Sequence, residues 1–234
     1  MAQTYAIILA GGSGRRLKRD VPKQFLPLGD KPVLAWSLLA CNGLAEVDHI
    51  LLVTPSEFIT RADDIARKYN IHKVSKIIPG GATRQESALN ALKSYDFQES
   101  DILVYHDAAR PFIKRDILRN CIIAVKRHGA AAVYIPVQDT VAEVIDGFVA
   151  SVPPRDRFHA AQTPQAFRYS IIRTAHADAL SAGFQATDDA SLALNAGFTV
   201  KMVGGDHLNF KITTDFDYRC ACLLAENIVA QNSE

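Results

Sequence analysis

Cysteine is scarce: Cys41, Cys121, Cys220 and Cys222 are the four in 234 residues. None forms a C-x-x-C pair, and Cys220-Ala-Cys222 lies in a helical pattern where its two side chains diverge, which leaves no disulfide framework and no zinc ribbon. All four are expected to be reduced packing residues of a cytosolic protein. An excess of one charge is also missing. Lys and Arg number 26 against 25 Asp and Glu, a net charge of +1, which argues against a broad nucleic-acid or membrane footprint. No apolar run approaches a membrane span. The run near the N-terminus has no basic leader and is short for a secretory signal, so a cytoplasmic location is expected. The seven histidines show no metal-ligand spacing. No serine or cysteine nucleophile motif is present, Gly-x-Ser-x-Gly included. Internal repeats and low-complexity segments are absent as well.

What remains is ordinary globular composition, 48% hydrophobic and 22% charged. A chain of this length buries about 70% of its unfolded surface. It suits one domain, 1–234, with room for an excursion.

The excursion is less telling than the start. Tyr5–Ala10 is a short continuous apolar run, read as a buried strand, and it empties into Gly11-Gly12-Ser13-Gly14. Glycines let main chain come close to a ligand, and successive N–H groups in such a loop can converge on an anion. Arg15, Arg16, Lys18, Arg19 and Lys23 follow, with Pro22 stiffening the approach to Lys23. This stretch has two readings: a cradle for a polyphosphate, or a tight strand-to-helix turn followed by solvated cations. It is not a P-loop, since G-x-x-x-x-G-K-[ST] is absent. Leu17 stands where a dinucleotide fingerprint needs its third glycine, which argues against a nicotinamide-dependent oxidoreductase.

The remaining chain alternates. Helices are expected at Val33–Asn42, Glu57–Tyr69, after Thr83, Arg115–His128, Ser170–Ala182, Ala190–Asn195 and from about Asp215. Strands are expected at His49–Thr54, Lys73–Ile78, Ile102–Tyr105, Ala131–Pro136, Thr199–Val203 and Asn209–Thr213. Thr83 with Glu86 has capping-box spacing. Repeated β-α order predicts an α/β fold, a mostly parallel twisted sheet with helices on both faces. The glycine loop, Gly80-Gly81 and His106–Arg110 would then all fall at strand carboxyl ends, where such sheets bind ligands. The alternation breaks at 137–157. There Val141–Ile145 and Phe148–Val152 flank Asp146-Gly147, a hairpin signal. A lone hairpin is marginal in water, so it lies either against a second copy of the chain or on its own domain.

Individual residues carry two readings each. Arg16 and Lys23 are phosphate ligands or surface cations. Asp107 could meet a ribose hydroxyl or a phosphate-held metal and Arg110 an anion, or the two could pair internally. Lys211 faces solvent or a cleft rim, opposite Phe210 and Ile212. His106 could simply satisfy a backbone carbonyl.

Ile8–Arg16 and Pro22-Lys23-Gln24-Phe25 resemble the signature of sugar-nucleotide pyrophosphorylases. More narrowly, His106-Asp107-Ala108-Ala109-Arg110-Pro111, Thr163-Pro164-Gln165, Thr187-Asp188-Asp189-Ala190-Ser191 and Asn209–Thr213 resemble the 2-C-methyl-D-erythritol 4-phosphate cytidylyltransferase family over nearly the whole chain. The resemblance implies a nucleotide-diphospho-sugar transferase type of fold with residues 137–157 as a protruding arm. It implies CMP transfer from CTP to methylerythritol phosphate, Mg²⁺ bound mainly through the CTP phosphates with no protein metal site of its own, and a homodimer. By the same resemblance Arg16, Lys23, Arg155 and Lys211 are catalytic. Ala10, Gly11, Gly12, Gly14, Lys23, Gly81, Ala82, Ser87 and Asp107 hold the nucleotide, with Arg84 beside them. Asp107, Arg110, Thr140, Arg155, Thr187 and Lys211 hold the polyol phosphate, Thr140 and Arg155 coming from the other subunit's arm. The family usually has Asp-Arg where this chain has Pro154-Arg155, and Arg157 is the alternative arm arginine; Ala82 often has an acidic counterpart. Ribitol 5-phosphate cytidylyltransferases share the glycine loop, the Pro-Lys-Gln segment and the Thr-Pro-Gln segment, and form the alternative within the class. A nicotinamide-dependent oxidoreductase and a nucleotide-binding protein without catalysis are the alternatives outside it.

Overall fold

A computed structural model describes residues 2–12 and 21–231. The expected positions Gly14 and Arg16 lie outside the described residues, with the cations Arg15, Lys18 and Arg19. The organising strand β1 (Thr4–Leu9) is buried throughout. Its alternation feeds two layers, with Ala6 and Ile8 on one face and Tyr5, Ile7 and Leu9 on the other. A strand buried on both faces reads as a continuous apolar run, and this one does.

A short ladder of β2 (Pro27–Leu28) and β3 (Lys31–Pro32) follows, then α1 (Val33–Asn42), β4 (His49–Thr54), α2 (Ile59–Lys68) and β5 (Val74–Pro79). Next come α3 (Arg84–Lys93), β6 (Ile102–Asp107), α4 (Arg115–His128) and β7 (Ala130–Pro136). The hairpin is β8 (Glu143–Ile145) with β9 (Phe148–Ser151). Last are β10 (His159–Arg168), α5 (Tyr169–Ala182), α6 (Asp189–Asn195), β11 (Lys201–Gly204) and α7 (Asp215–Gln231). Seven strands form one sheet in the order β11-β7-β10-β6-β1-β4-β5. Helices α1, α2 and α4 cover one face and α3, α5 and α6 the other. Helix α7 packs with Leu28, Phe112 and Ile212 in a third cluster. After β5 the chain returns to β6 on the far side of β1, which opens the crevice that such a reversal leaves at the carboxyl ends.

Local signals hold where a single residue decides them. Asn70 ends α2 with φ 52, and Asp146 and Gly147 both have positive φ, as the two-residue turn of a tight hairpin requires. Thr83 caps α3, its Oγ1 accepting from Glu86 N at 3.0 Å. Glu86 does not complete the box; its carboxylate takes Ala82 N at 2.7 Å instead. Every residue of β8 and β9 is exposed, so within one chain the hairpin is not folded onto its own domain.

Besides the short β2–β3 ladder, which was not expected, two strand assignments change. Strand β10 was not expected and lies in the middle of the sheet, antiparallel to both β6 and β7. Its apolar alternation is broken by Gln162, Thr163, Pro164 and Gln165, and its register shifts between Ala161 and Gln165. Proline inside a run argues against a central strand, and here the bulge absorbs it. Conversely, Asn209–Thr213 is not a strand. A 3-10 turn at His207–Asn209 leads into irregular chain that crosses the carboxyl ends of the strands. Ile212 N donates to Ala109 O at 2.9 Å, and Ile212 is buried.

Candidate active site

At the carboxyl ends of β1 and β6 lies a cleft of about 470 Å³, a size that suits a small-molecule ligand. Two main-chain segments wall it. Gly11 and Gly12 continue β1, and Gly80 and Gly81 follow β5. Ser87, buried on the first turns of α3, holds the second segment: its Oγ donates to Thr83 O at 2.9 Å and accepts from Gly81 N at 3.0 Å. The same oxygen would lie 3.3 Å from a Cβ at Gly11 and at Gly80, and a Cβ at Gly81 would collide with the Glu86 side chain. A side chain at Gly11 would therefore press on Ser87 of the facing wall, and one at Gly80 or Gly81 on the start of α3 itself. Gln24, buried, donates to Ala10 O at 2.6 Å and fastens the glycine loop to the segment that carries Lys23.

Charge enters from three elements. Lys23 Nζ donates to Ile212 O at 2.8 Å, so the cleft is bridged from the glycine loop to the 209–213 segment. Asp107, at the end of β6, accepts from Lys211 Nζ at 2.6 Å and from Arg84 Nε at 3.1 Å. Burial alone would raise its pKa; the neighbouring Arg84 and Lys211 cations outweigh burial and hold the carboxyl well below the usual carboxylate range. Arg84 in turn donates Nη1 to Asp189 Oδ2 at 2.7 Å. Burial works against its charge, but Asp189 and Asp107 raise its pKa further above the ordinary value. Lys211 thus faces the cleft rim rather than open solvent. The internal pair considered for Asp107 and Arg110 does not form: Arg110 donates to Asn209 O at 2.7 Å and to Ala161 O at 3.2 Å.

Beneath these groups runs a polar chain. His106 lies with Nε2 3.1 Å from Arg110 O, so this nitrogen carries the proton and His106 does satisfy a carbonyl. Its Nδ1 then accepts from Thr163 Oγ1 at 3.0 Å, and the same hydroxyl accepts Asp107 N at 3.1 Å. Burial, the largest influence, pushes the imidazole pKa down to about 4. Asn209 donates to Gln162 Oε1 and Thr163 O at 2.9 and 2.8 Å. Gln165 donates to Asp188 Oδ2 at 2.7 Å and accepts Ala190 N at 2.9 Å, which seats α6 on β10. The motifs around Asp107, Thr163, Asp188 and Lys211 are therefore one bonded network drawn from distant parts of the chain.

Of the expected residues, Ala10, Gly11, Gly12, Lys23, Gly81, Ala82, Ser87, Asp107 and Lys211 line the cleft. Arg110 does not line it. Thr187 is exposed just before α6. Thr140 and Arg155 are exposed on the arm side of the chain, with Arg155 Nη1 on Gln138 O at 2.7 Å, and neither lines this chain's own cleft. Arg84, expected beside the nucleotide residues, also lines the cleft; Gln24, Thr163, Gln165 and Asp189 were not among the expected site residues, although each lies in a quoted motif. Among the described residues no group of three His, Cys, Asp or Glu side chains could hold a metal ion.

The family model described as 2-C-methyl-D-erythritol 4-phosphate cytidylyltransferase matches residues 4–231. A relative of that name from Syntrophotalea carbinolica is 42% identical over 91% of this chain and 92% of its own length. Another from Geotalea uraniireducens is 40% identical over 98% of both. Among solved structures, the 4-diphosphocytidyl-2C-methyl-D-erythritol synthase of Anaerococcus prevotii superposes with a TM-score of 0.84 at 30% identity, covering 95% of this chain and 96% of that one. The 2-C-methyl-D-erythritol 4-phosphate cytidylyltransferase of Thermus thermophilus gives 0.78 at 32% identity, covering 96% and 99%. With the motif network, the cleft and these matches together, the chain belongs to the 2-C-methyl-D-erythritol 4-phosphate cytidylyltransferase family.

Proposed function

We propose that the cleft holds CTP and 2-C-methyl-D-erythritol 4-phosphate and joins them as the family name states, releasing pyrophosphate and forming the CDP-linked polyol of isoprenoid biosynthesis. The observation that carries this reading is that Lys23, held on Ile212 O, and Lys211, paired with Asp107, line one cleft with two glycine segments. A phosphate oxygen of the polyol attacks the α-phosphorus of CTP in line, and the bond to the β-phosphate oxygen breaks opposite. Both reactants are anions, so oriented amides and fixed cations supply most of the catalysis. Gly11, Gly12 and Gly81 present main chain to the nucleotide, with Ala10, Ala82 and Ser87 bordering it. Lys23, with Arg16, stabilises charge gathering on the α-phosphate oxygens. Asp107 and Lys211 orient the polyol phosphate, with Thr187 near its entrance.

Among the described residues lining the cleft Asp107 is the one carboxylate, and both its oxygens already meet cations. This donor set fits a Mg²⁺ carried mainly by triphosphate oxygens, with at most one protein carboxylate. Bound there, the ion would neutralise the departing pyrophosphate.

We read residues 1–234 as one catalytic unit whose arm, 137–157, embraces a second copy in a cytoplasmic homodimer. Phe148 is 78% exposed and Val149 65%, an apolar surface of the sort a partner covers. The partner arm would supply Thr140 and Arg155, or Arg157, to complete the polyol-phosphate site. A turnover assay of CTP with methylerythritol phosphate against ribitol 5-phosphate, read as pyrophosphate release, tests the assignment. Preference for the ribitol substrate would transfer it to that enzyme class, and CTP binding without release would make the chain a silent binder.

A further inference from the structure

We infer that Asp189 is a positioning residue for the transfer reaction, acting through Arg84 on Asp107 and Lys211 without touching either substrate. This rests on the cytidylyltransferase reading above. Asp189 is wholly buried and does not line the cleft. Its Oδ2 holds Arg84 Nη1 at 2.7 Å, Arg84 Nε holds Asp107 Oδ1 at 3.1 Å, and Asp107 Oδ2 holds Lys211 Nζ at 2.6 Å. The relay joins four elements, α6, α3, β6 and the 209–213 segment, and its two carboxylates balance its two cations. Arg84 is the planar centre: its fork fixes the direction of Nε only while Nη1 is held at the other end.

Stability alone does not account for this arrangement. A buried ion pair recovers little beyond its desolvation cost. Arg84 Nη2 and Asp189 Oδ1 are themselves buried without a hydrogen-bond partner among the described residues, so the contact is not optimised for polar satisfaction. What it does achieve is orientation, and α6 is built to deliver it. Asp188 caps the helix through Ser191 N at 2.8 Å, and Gln165 clamps Asp188 and Ala190 on either side of Asp189. Without Asp189 the guanidinium would be tethered at Asp107 alone and could turn toward the nucleotide phosphates.

The test is a double-mutant cycle on kcat/KM for the polyol phosphate, with Asp189→Asn, Arg84→Gln and the pair. Asp189→Asn alone is expected to lose about tenfold to a hundredfold, as a displaced orienting group does. In the Arg84→Gln background it should lose no more than about twofold further, because the relay is already cut. Circular dichroism confirms folding of each variant. If Asp189→Asn does not fold, Asp189→Glu, which keeps the charge and shifts it by one methylene, takes its place in the same cycle. Equal losses in both backgrounds, or wild-type kcat/KM in a folded Asp189 variant, would overturn the positioning role. A wild-type protein that releases no pyrophosphate from CTP and methylerythritol phosphate would instead sink the underlying activity.

Discussion

At the residue scale, the cleft divides into groups that meet charge and groups that hold them. Lys23 is of the first kind. Its ammonium bridges to Ile212 O across the site, and it contributes no apolar bulk to the core. Removing one preorganised donor to developing charge costs about 3 kcal/mol, roughly a hundredfold in rate. Lys23→Ala should therefore lower kcat by about that factor while its circular dichroism and melting curve stay close to wild type. His106 is of the second kind, and its effect is on stability. Burial drops its folded pKa to about 4 from an unfolded value of 6.5. Between those values the unfolded chain binds the proton and the folded chain does not, so stability rises with pH across the window. The contribution is complete above about pH 6.5 and is lost as pH falls through 4, by about 3 kcal/mol at pH 4. Urea unfolding of wild type and His106→Asn at pH 7 and pH 4 checks this. The wild type should lose about 3 kcal/mol more than the variant over that interval.

At the element scale, α6 shows how a short helix is kept in place. Seven residues are too few to hold a helix by propensity. The capping box of Asp188 with Ser191 and the Gln165 clamp supply what length does not. Asp188→Ala should cost about 1–2 kcal/mol, seen as a Tm lower by about 2–8 °C. The same scale separates what was legible in the chain from what was not. Strand β1 was legible because both its faces are apolar, and the hairpin because Asp146-Gly147 dictates its turn. Strand β10 was not: its inward groups at Gln162, Thr163 and Gln165 are polar because they bond to Asn209, His106 and α6, so function overrode the apolar pattern that marks a strand. Asn209–Thr213 misled in the opposite direction. Its alternation arises from lying across strand ends, with Ile212 inward and Lys211 toward the cleft, and needs no ladder. Gly81, Ser87 and Asp107, which line the cleft, were expected from the family resemblance, whereas Asp189 could not be separated from its neighbour Asp188 until α6 set which of them meets Arg84.

At the scale of the whole molecule, the proposed role of the arm fixes how many chains make one active site. A two-stranded hairpin is marginal alone, and this one exposes Val144, Ile145, Phe148, Val149 and Val152 together. If the partner covers it in a two-fold dimer, Arg155 reaches the partner's cleft and Lys23 stays in its own. Two inactive variants, Lys23→Ala and Arg155→Ala, would then complement each other. In a mixed dimer one cleft carries both defects, and the other has an intact Lys23 and receives an intact Arg155 from the partner. Random exchange at equal amounts makes half the dimers mixed with one working site in two, so about a quarter of wild-type turnover should return. The same mixing with Arg157→Ala in place of Arg155→Ala identifies which arginine crosses. If each arm served its own cleft, every mixture would stay as inactive as its components, however stable the dimer proved by sedimentation. Phe148→Asp separates assembly from chemistry. If a partner covers the arm, a charge there should shift sedimentation toward monomer and abolish turnover together, while leaving the folded body, whose core residues the arm does not share, intact.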